Sequence, residues 1–413
     1  MTVAVSSPPI SDRPGAALVF ANVAHFYTHV IMLLYPTVVL ALESVFNRPY
    51  GELLSLLLPG YVLFGLAALP AGWLGDKWST KGMMAVFYFG AGGATFLTGF
   101  ARTPLEIGIG LTVMGLFASI YHPVGTSFVV RNAVNRGKAL GWNGVFGTSG
   151  VALAAVIAGV LTENFGWRMA FFVPGTVCVM TGLAFLSMTP PEPSKAGGRQ
   201  GGGEAFGIER HVAIRALAIL AFTVMCAGFI SQAFLVGLPK VFAERVTGGG
   251  IENLTETTTL VSFALLVGAS GQLLGGYLAD RLPIKHVYVA MQCLLFPVAL
   301  TAAWLSGVPL IVAAVMLQLF MTSALPAENC LVARFCAPDW HATAYGGKFV
   351  MGLGVSSLAV PMVGWIHDGT GAFYWYFMAL AGFSSLIIAA AIFLPGDRAA
   401  GIKAPAPVAS AAE

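Results

Sequence analysis

The chain has 413 residues, of which 57% are hydrophobic and 9% charged, and its mean hydropathy is +0.82. A soluble domain carries roughly 25% charged residues because its surface faces water, so this composition excludes a soluble particle and asks for lipid. The net charge of +3 is too slight to argue for a nucleic-acid partner. Fifty glycines suit membrane helices, where small residues let backbones approach.

The chain opens on a tail, residues 1–15, with Pro8, Pro9 and Pro14 and no basic n-region, so it does not read as a cleaved signal. Apolar stretches of about 20 residues, long enough to span a bilayer, follow in two sets of six. The first set is 16–42, 53–74, 82–100, 105–130, 140–161 and 169–188. The second is 216–238, 257–279, 287–306, 309–333, 343–366 and 374–394. Each must be helical, because a lipid-facing segment satisfies its own backbone polar groups. Weak alternation and long spans exclude a β-barrel. The expected fold is an all-α membrane protein with halves at 16–188 and 216–394.

Between the halves, 189–215 holds Pro-Pro-Glu-Pro and then Gly197, Gly198, Gly201, Gly202 and Gly203, which reads as a flexible linker. A polar stretch at 244–259 reads as a long external loop, and its Asn253-Leu254-Thr255 pattern carries no weight without a secretory context. Residues 395–413 form the second tail. Five cysteines show no metal spacing and no disulfide framework; the first four fall in apolar segments as small hydrophobes.

With both termini in the cytoplasm, fifteen of the 21 lysines and arginines face inward, five outward, and Lys348 lies within a span. That is a positive-inside bias. An inner (cytoplasmic) membrane is the expected location, with the lipid bilayer as environment and a monomer as the working form.

The halves match. After the second span stands Gly72-Trp-Leu-Gly-Asp76-Lys77-Trp-Ser-Thr-Lys81, and after the eighth Gly276-Tyr-Leu-Ala-Asp280-Arg281-Leu-Pro-Ile-Lys285, 204 residues on. Pro123 pairs with Pro326 and Arg131 with Arg334, each 203 apart. Two landmarks at nearly one offset indicate a six-plus-six parallel repeat.

The duplicated G-x-L-x-D-[RK]-x-x-x-[RK] loop resembles the signature of the major facilitator superfamily, and the resemblance covers about 16–394. Ala24-His25 with Leu34-Tyr35-Pro36, and Ser119-Ile-Tyr-His122-Pro123, resemble the first and fourth helices of fosmidomycin-resistance exporters. That group typically continues with an acidic residue where this chain has Val124. The resemblance implies that Asp76 and Asp280, with Lys77 and Arg281, form a gate between helices; an isolated carboxylate at a helix end could equally serve topology alone. It also implies gate roles for Arg131 and Arg334, although basic residues at helix C-termini also cap the dipole.

Asn22, His25 and His29 share one helix face, with Tyr35 further along. Histidine exchanges protons near neutral pH, so substrate or proton handling stands against a packed, hydrogen-bonded pair. No metal is expected, since His25-x-x-x-His29 lacks further ligands and the Glu of HExxH. His122 precedes Pro123, which frees a carbonyl and bends the helix; a pathway role stands against a bond to that carbonyl. Glu328, Asn329 and Lys348 form the last candidate group. Glu328 and Lys348 lie at similar depth, where an unpaired charge costs several kcal/mol; against pairing stands snorkelling of Lys348. Glycines 141, 144, 147 and 150 read as close helix packing. Exporters of the family often carry a Gly-Pro step in this fifth helix, and here Val151 follows Gly150.

No Walker A pattern or soluble catalytic domain is present, so neither ATP-driven transport nor an enzyme is expected, and no cofactor. The expected function is secondary transport by alternating access, coupled to protons and exporting a small organic solute. Uptake of a nutrient or anion on the same fold is the alternative, and a non-transporting receptor the alternative of another class.

Overall fold

A computed structural model describes residues 14–189, 208–248, 253–336 and 341–395. Residues 1–13 and 396–413 of the expected tails, 190–207 of the expected linker, 249–252 of the expected loop, and 337–340 lie outside the described residues. The described chain is helical, with no strand among the described residues.

Twelve spans follow in order. They are α1 (Pro14–Leu33, continued by Tyr35–Phe46), α2 (Tyr50–Leu54, Ser55–Leu57, Leu58–Leu66 and Ala68–Lys77) and α3 (Thr80–Thr98). Next come α4 (Pro104–Ala118, Tyr121–Gly125 and Thr126–Asn132), α5 (Arg136–Phe165) and α6 (Met169–Met188). The second half holds α7 (Arg210–Arg245), α8 (Leu254–Ala269 and Gly271–Arg281) and α9 (Ile284–Ala302). It ends with α10 (Gly307–Phe335), α11 (His341–Phe349, Val350–Gly354, Val355–Leu358 and Ala359–Thr370) and α12 (Tyr374–Ile392). Ten of these are long and apolar enough to cross a membrane, and the α2 pair bent by 40° at Ala67 makes eleven. The less apolar α3, at 19 residues, completes the twelve.

Short polar residues start these helices where the sequence leaves the lipid. Ser79 caps α3 by accepting from Gly82 N at 2.9 Å, and Asn135 caps α5 by accepting from Lys138 N at 3.1 Å. The α7 helix continues through residue 245, so the polar stretch expected as a loop from 244 is shorter than its composition indicates. Arg210 already lies in α7, which trims the linker at its other end.

The last lysine of each repeated motif does the same work. Lys81 Nζ donates to Thr189 O at 2.6 Å, and Lys285 Nζ donates to Ile392 O and Leu394 O at 2.7 and 2.6 Å. Each ties the start of the third helix of its half to the end of the sixth. A cation there also complements the C-terminal end of the helix dipole.

The halves meet along two seams, α5 against α8 and α2 against α11. A shift of six helices turns one seam into the other, as a pseudo-two-fold relation between parallel repeats requires. The α2–α11 seam is close because both partners are glycine. A Cβ built on Gly364 would lie 2.4 Å from Gly51 Cα, and backbone cannot yield to it. Gly364→Ala should therefore force the two halves apart and destabilise this packed form by about 1–3 kcal/mol. Thermal unfolding of purified protein in detergent checks this; an unchanged melting temperature would mean that the seam is not tight.

Candidate functional site

Three histidines from two helices converge. Their ring centroids stand 5.1 Å apart for His25 and His29, and 5.5 Å for each of these with His122. Four-residue spacing on α1 brings the first two together. His122 arrives from α4, where Tyr121–Gly125 form a π-helical turn around Pro123. Proline lacks the N–H that an α-helix needs there, so the turn widens and re-aims its side chains. The bond from His122 to a freed carbonyl is not made through Nε2, which is buried without a hydrogen-bond partner.

α5 makes room for this group. Gly147 faces the His25 ring so closely that a Cβ would lie 2.4 Å from Cε1. His25 Nδ1 thereby reaches Asn143 O at 2.8 Å. The Asn143 side chain donates to Tyr121 Oη at 2.7 Å and Asn22 Oδ1 at 3.0 Å, and Tyr121 donates to Ala21 O at 2.9 Å. Gly150 likewise lies against the Phe26 carbonyl, whereas Gly141 and Gly144 meet nothing. Close packing thus explains two of the four glycines. Tyr35 stands apart from the histidines: it is fully buried and donates to Leu53 O at 2.9 Å, pinning α1 to α2.

In the second half Lys348 Nζ lies 2.7 Å from Glu328 Oε1, and the side chains are 16% and 4% exposed. Asn329 Oδ1 also accepts from Lys348, and Tyr288 Oη donates to Glu328 Oε2 at 3.3 Å. The lysine therefore points sideways to a carboxylate and not along the helix to an interface. The next residue, Phe349, stacks on His122 across the seam, with centroids 5.2 Å apart and planes at 25°. The two polar clusters are thus neighbours, one in each half.

At the end of the bundle that carries the repeated motif, Arg131 Nη2 lies 3.1 Å from Asp76 Oδ1. The pair joins α4 to α2 within the first half and is well exposed, so its energetic weight is small. Lys77 is exposed beside it. The second half does not copy the pair. Among the described residues no ion pair joins Asp280 to Arg334, and the Arg281 guanidinium lies 4.1 Å above the Tyr277 ring.

The opposite end holds a network that spacing did not reveal. Lys240 Nζ (α7) lies 2.6 Å from Glu43 Oε1 (α1) and 3.5 Å from Glu244 Oε1. His367 Nε2 (α11) lies 2.8 Å from Glu244 Oε1, and its Nδ1 lies 3.3 Å from Asp368 Oδ1. Asp368 Oδ2 then accepts from Gly51 N (α2) at 2.9 Å. Four helices and both halves are laced together in about two turns of helix. Nothing in the sequence marks it, because all five residues fall within two turns of span ends, where a charge ordinarily meets water.

The match to known proteins extends over most of the chain. The family model described as Major Facilitator Superfamily matches residues 18–308. The probable sulfoacetate transporter SauU of Cupriavidus necator is 28% identical over 348 residues, covering 76% of this chain and 79% of that protein. Among solved structures, a bacterial homolog to the human lysosomal transporter Spinster superposes with a TM-score of 0.71 at 14% identity, covering 95% of this chain and 96% of that one. The nucleoside transporter NupG superposes with a TM-score of 0.73 at 15% identity, covering 92% and 99%. At such identities the structures speak for the fold.

Proposed function

We propose a cargo class, a coupling ion and a direction for this chain, which belongs to the Major Facilitator Superfamily of transporters: proton-coupled uptake of a small organic anion by alternating access. The observation that carries the reading is the Glu328–Lys348 pair, buried beside the seam and adjacent to the histidine cluster. Burying an unpaired charge costs several kcal/mol, so the halves can close only over a nearly neutral site. With no cargo, Glu328 and Lys348 neutralise each other. A proton on Glu328 frees Lys348, and an anion then restores neutrality. A proton alone leaves one positive charge, and an anion alone leaves one negative charge. Both half-loaded states resist closure, so proton and anion travel together. Down an inward proton gradient that is uptake.

Export, the first expectation from the sequence, needs proton and cargo to displace each other, which suits a cation competing for Glu328. Val124 in place of the acidic residue of fosmidomycin-resistance exporters and Val151 after Gly150 both weigh against that type. The similarity to a probable sulfoacetate transporter supports an anion. The positive-inside count supports placing both termini and the motif end in the cytoplasm. The network of Glu43, Lys240, Glu244, His367 and Asp368 then closes the outer side.

Proteoliposomes with an inside-alkaline gradient, offered sulfoacetate and short carboxylates, sulfonates and phosphate esters, test this. One of these anions should accumulate, and a protonophore should abolish the accumulation. Gradient-driven efflux of an organic cation with no anion uptake would sink the symport reading.

A further inference from the structure

The His25–His29–His122 trio takes no part in the neutralisation of Glu328 and Lys348 described above. We infer that it is a binding site for one divalent first-row transition cation of the Zn2+ or Co2+ type, ligated by the three imidazoles at the wall of the central site. The α1 spacing offers two nitrogens, and only the fold brings the third.

The three ligand atoms all lie within 4.8 Å of one another. His25 Nε2 and His29 Nε2 are 3.3 Å apart. Two nitrogens bound at 2.0–2.1 Å with a tetrahedral angle stand about 3.3 Å apart, so one edge of the polyhedron is already built. The third ligand closes by a side-chain rotation on the widened α4 turn.

The outer partners fit as well. A ligating histidine usually donates its other N–H to a carbonyl, which fixes the tautomer and turns the free lone pair to the metal. His25 Nδ1 stands 2.8 Å from Asn143 O, which places its proton on Nδ1 and leaves the Nε2 lone pair facing His29. His122 Nε2 is buried with no hydrogen-bond partner, and a buried polar atom without a partner is costly. A cation supplies that partner. Without one, His29 donates Nε2–H to His25. On binding, His29 switches tautomer, its proton moving from Nε2 to Nδ1, and presents the Nε2 lone pair, so the ring stays neutral and no net proton is lost. Three neutral imidazoles leave a fourth position open to water or to an anion from the site.

Three or more convergent imidazoles suit Zn2+, Co2+ and Ni2+ far better than Mg2+ or Ca2+, which take oxygen. The site is accordingly selective by ligand type.

The test is a Co2+ titration of the purified full-length chain in detergent, with any affinity tag removed. The visible spectrum reads the coordination, and Zn2+ competition reads the affinity. The expected result is one Co2+ per chain with the intense bands of a four-coordinate ion, displaced by Zn2+. His122→Gln and His29→Gln should each weaken binding by about tenfold or more, while His286→Gln, at an exposed position, should bind like the parent. A parent spectrum that stays that of six-coordinate aqueous Co2+ overturns the site, as does unchanged affinity in both trio variants. Should a variant fail to fold, the parent spectrum decides alone. Binding is read without any flux, so its failure is separate from a failure of the uptake reading.

Discussion

Glu328→Gln should abolish proton-driven accumulation while leaving exchange of cargo across the membrane nearly intact. Glutamine mimics the protonated acid, so Lys348 remains free to hold an anion and the loaded site is neutral. The loaded carrier can then turn over in both directions. The empty carrier cannot return, because Lys348 has lost its 2.7 Å partner and would be buried as a bare cation. Lys348→Met should instead remove cargo affinity and leave the Glu328 carboxylate uncompensated, at a cost of about 1–3 kcal/mol in stability. The double variant should regain much of that stability, since neither charge remains to be desolvated, yet transport nothing. Counterflow, net uptake and thermal unfolding of the three variants separate these outcomes. Accumulation by Glu328→Gln under a proton gradient would show that the carboxylate is not the coupling group.

What the sequence carried, and what it did not, follows from the physics of each feature. Lipid permits only helix in a long apolar segment, so the spans could be placed by composition, and 169–188 coincides with α6 residue for residue. Breaks inside spans are harder to place, because composition does not say which proline breaks its helix. The bend at Ala67 lies three residues before Pro70, and the irregular turns Val350–Gly354 and Val355–Leu358 end just before Pro361, whereas Pro174, Pro239 and Pro297 sit inside helices that run on unbroken. The duplicated motif exposed the six-plus-six repeat, but not that Lys81 and Lys285 are its tying residues.

Local spacing likewise put His25 and His29 on one face. It could not bring His122 to them, because that meeting depends on the α1–α4 crossing and on a π-helical turn. Equal depth brought Glu328 and Lys348 to attention, because two charges inside lipid have few partners to choose from. Glu43, Lys240, Glu244, His367 and Asp368 were passed over for the opposite reason. Near a span end a charge has water as a ready partner, so nothing in the sequence alone distinguishes a latch from a loop.

That latch should set which side of the carrier opens. Lys240→Met removes the one cation that stands between Glu43 and Glu244, at 2.6 and 3.5 Å. Its side chain is only 14% exposed, so water replaces it poorly. The two carboxylates are left facing each other across the halves, with the Asp368–Gly51 and Tyr50–Val236 bonds still bridging α2 to the second half there. Loss of a buried, hydrogen-bonded charge costs about 1–3 kcal/mol, which moves a two-state equilibrium by roughly fivefold to 150-fold. The expected outcome is a shift from the form described here toward one open at the latch end. Spin labels at Val45 in the first half and Trp375 in the second, both exposed near that end, should then report a longer distance by pulsed electron resonance. Arg48→Met makes the contrast. Arg48 pairs with Glu52 at 3.5 Å, but both are half exposed and both belong to the first half, so its loss should leave the distance unchanged. An equal response from both variants would mean that the shift reflects surface charge in general, and the latch would have no special part in closing that side.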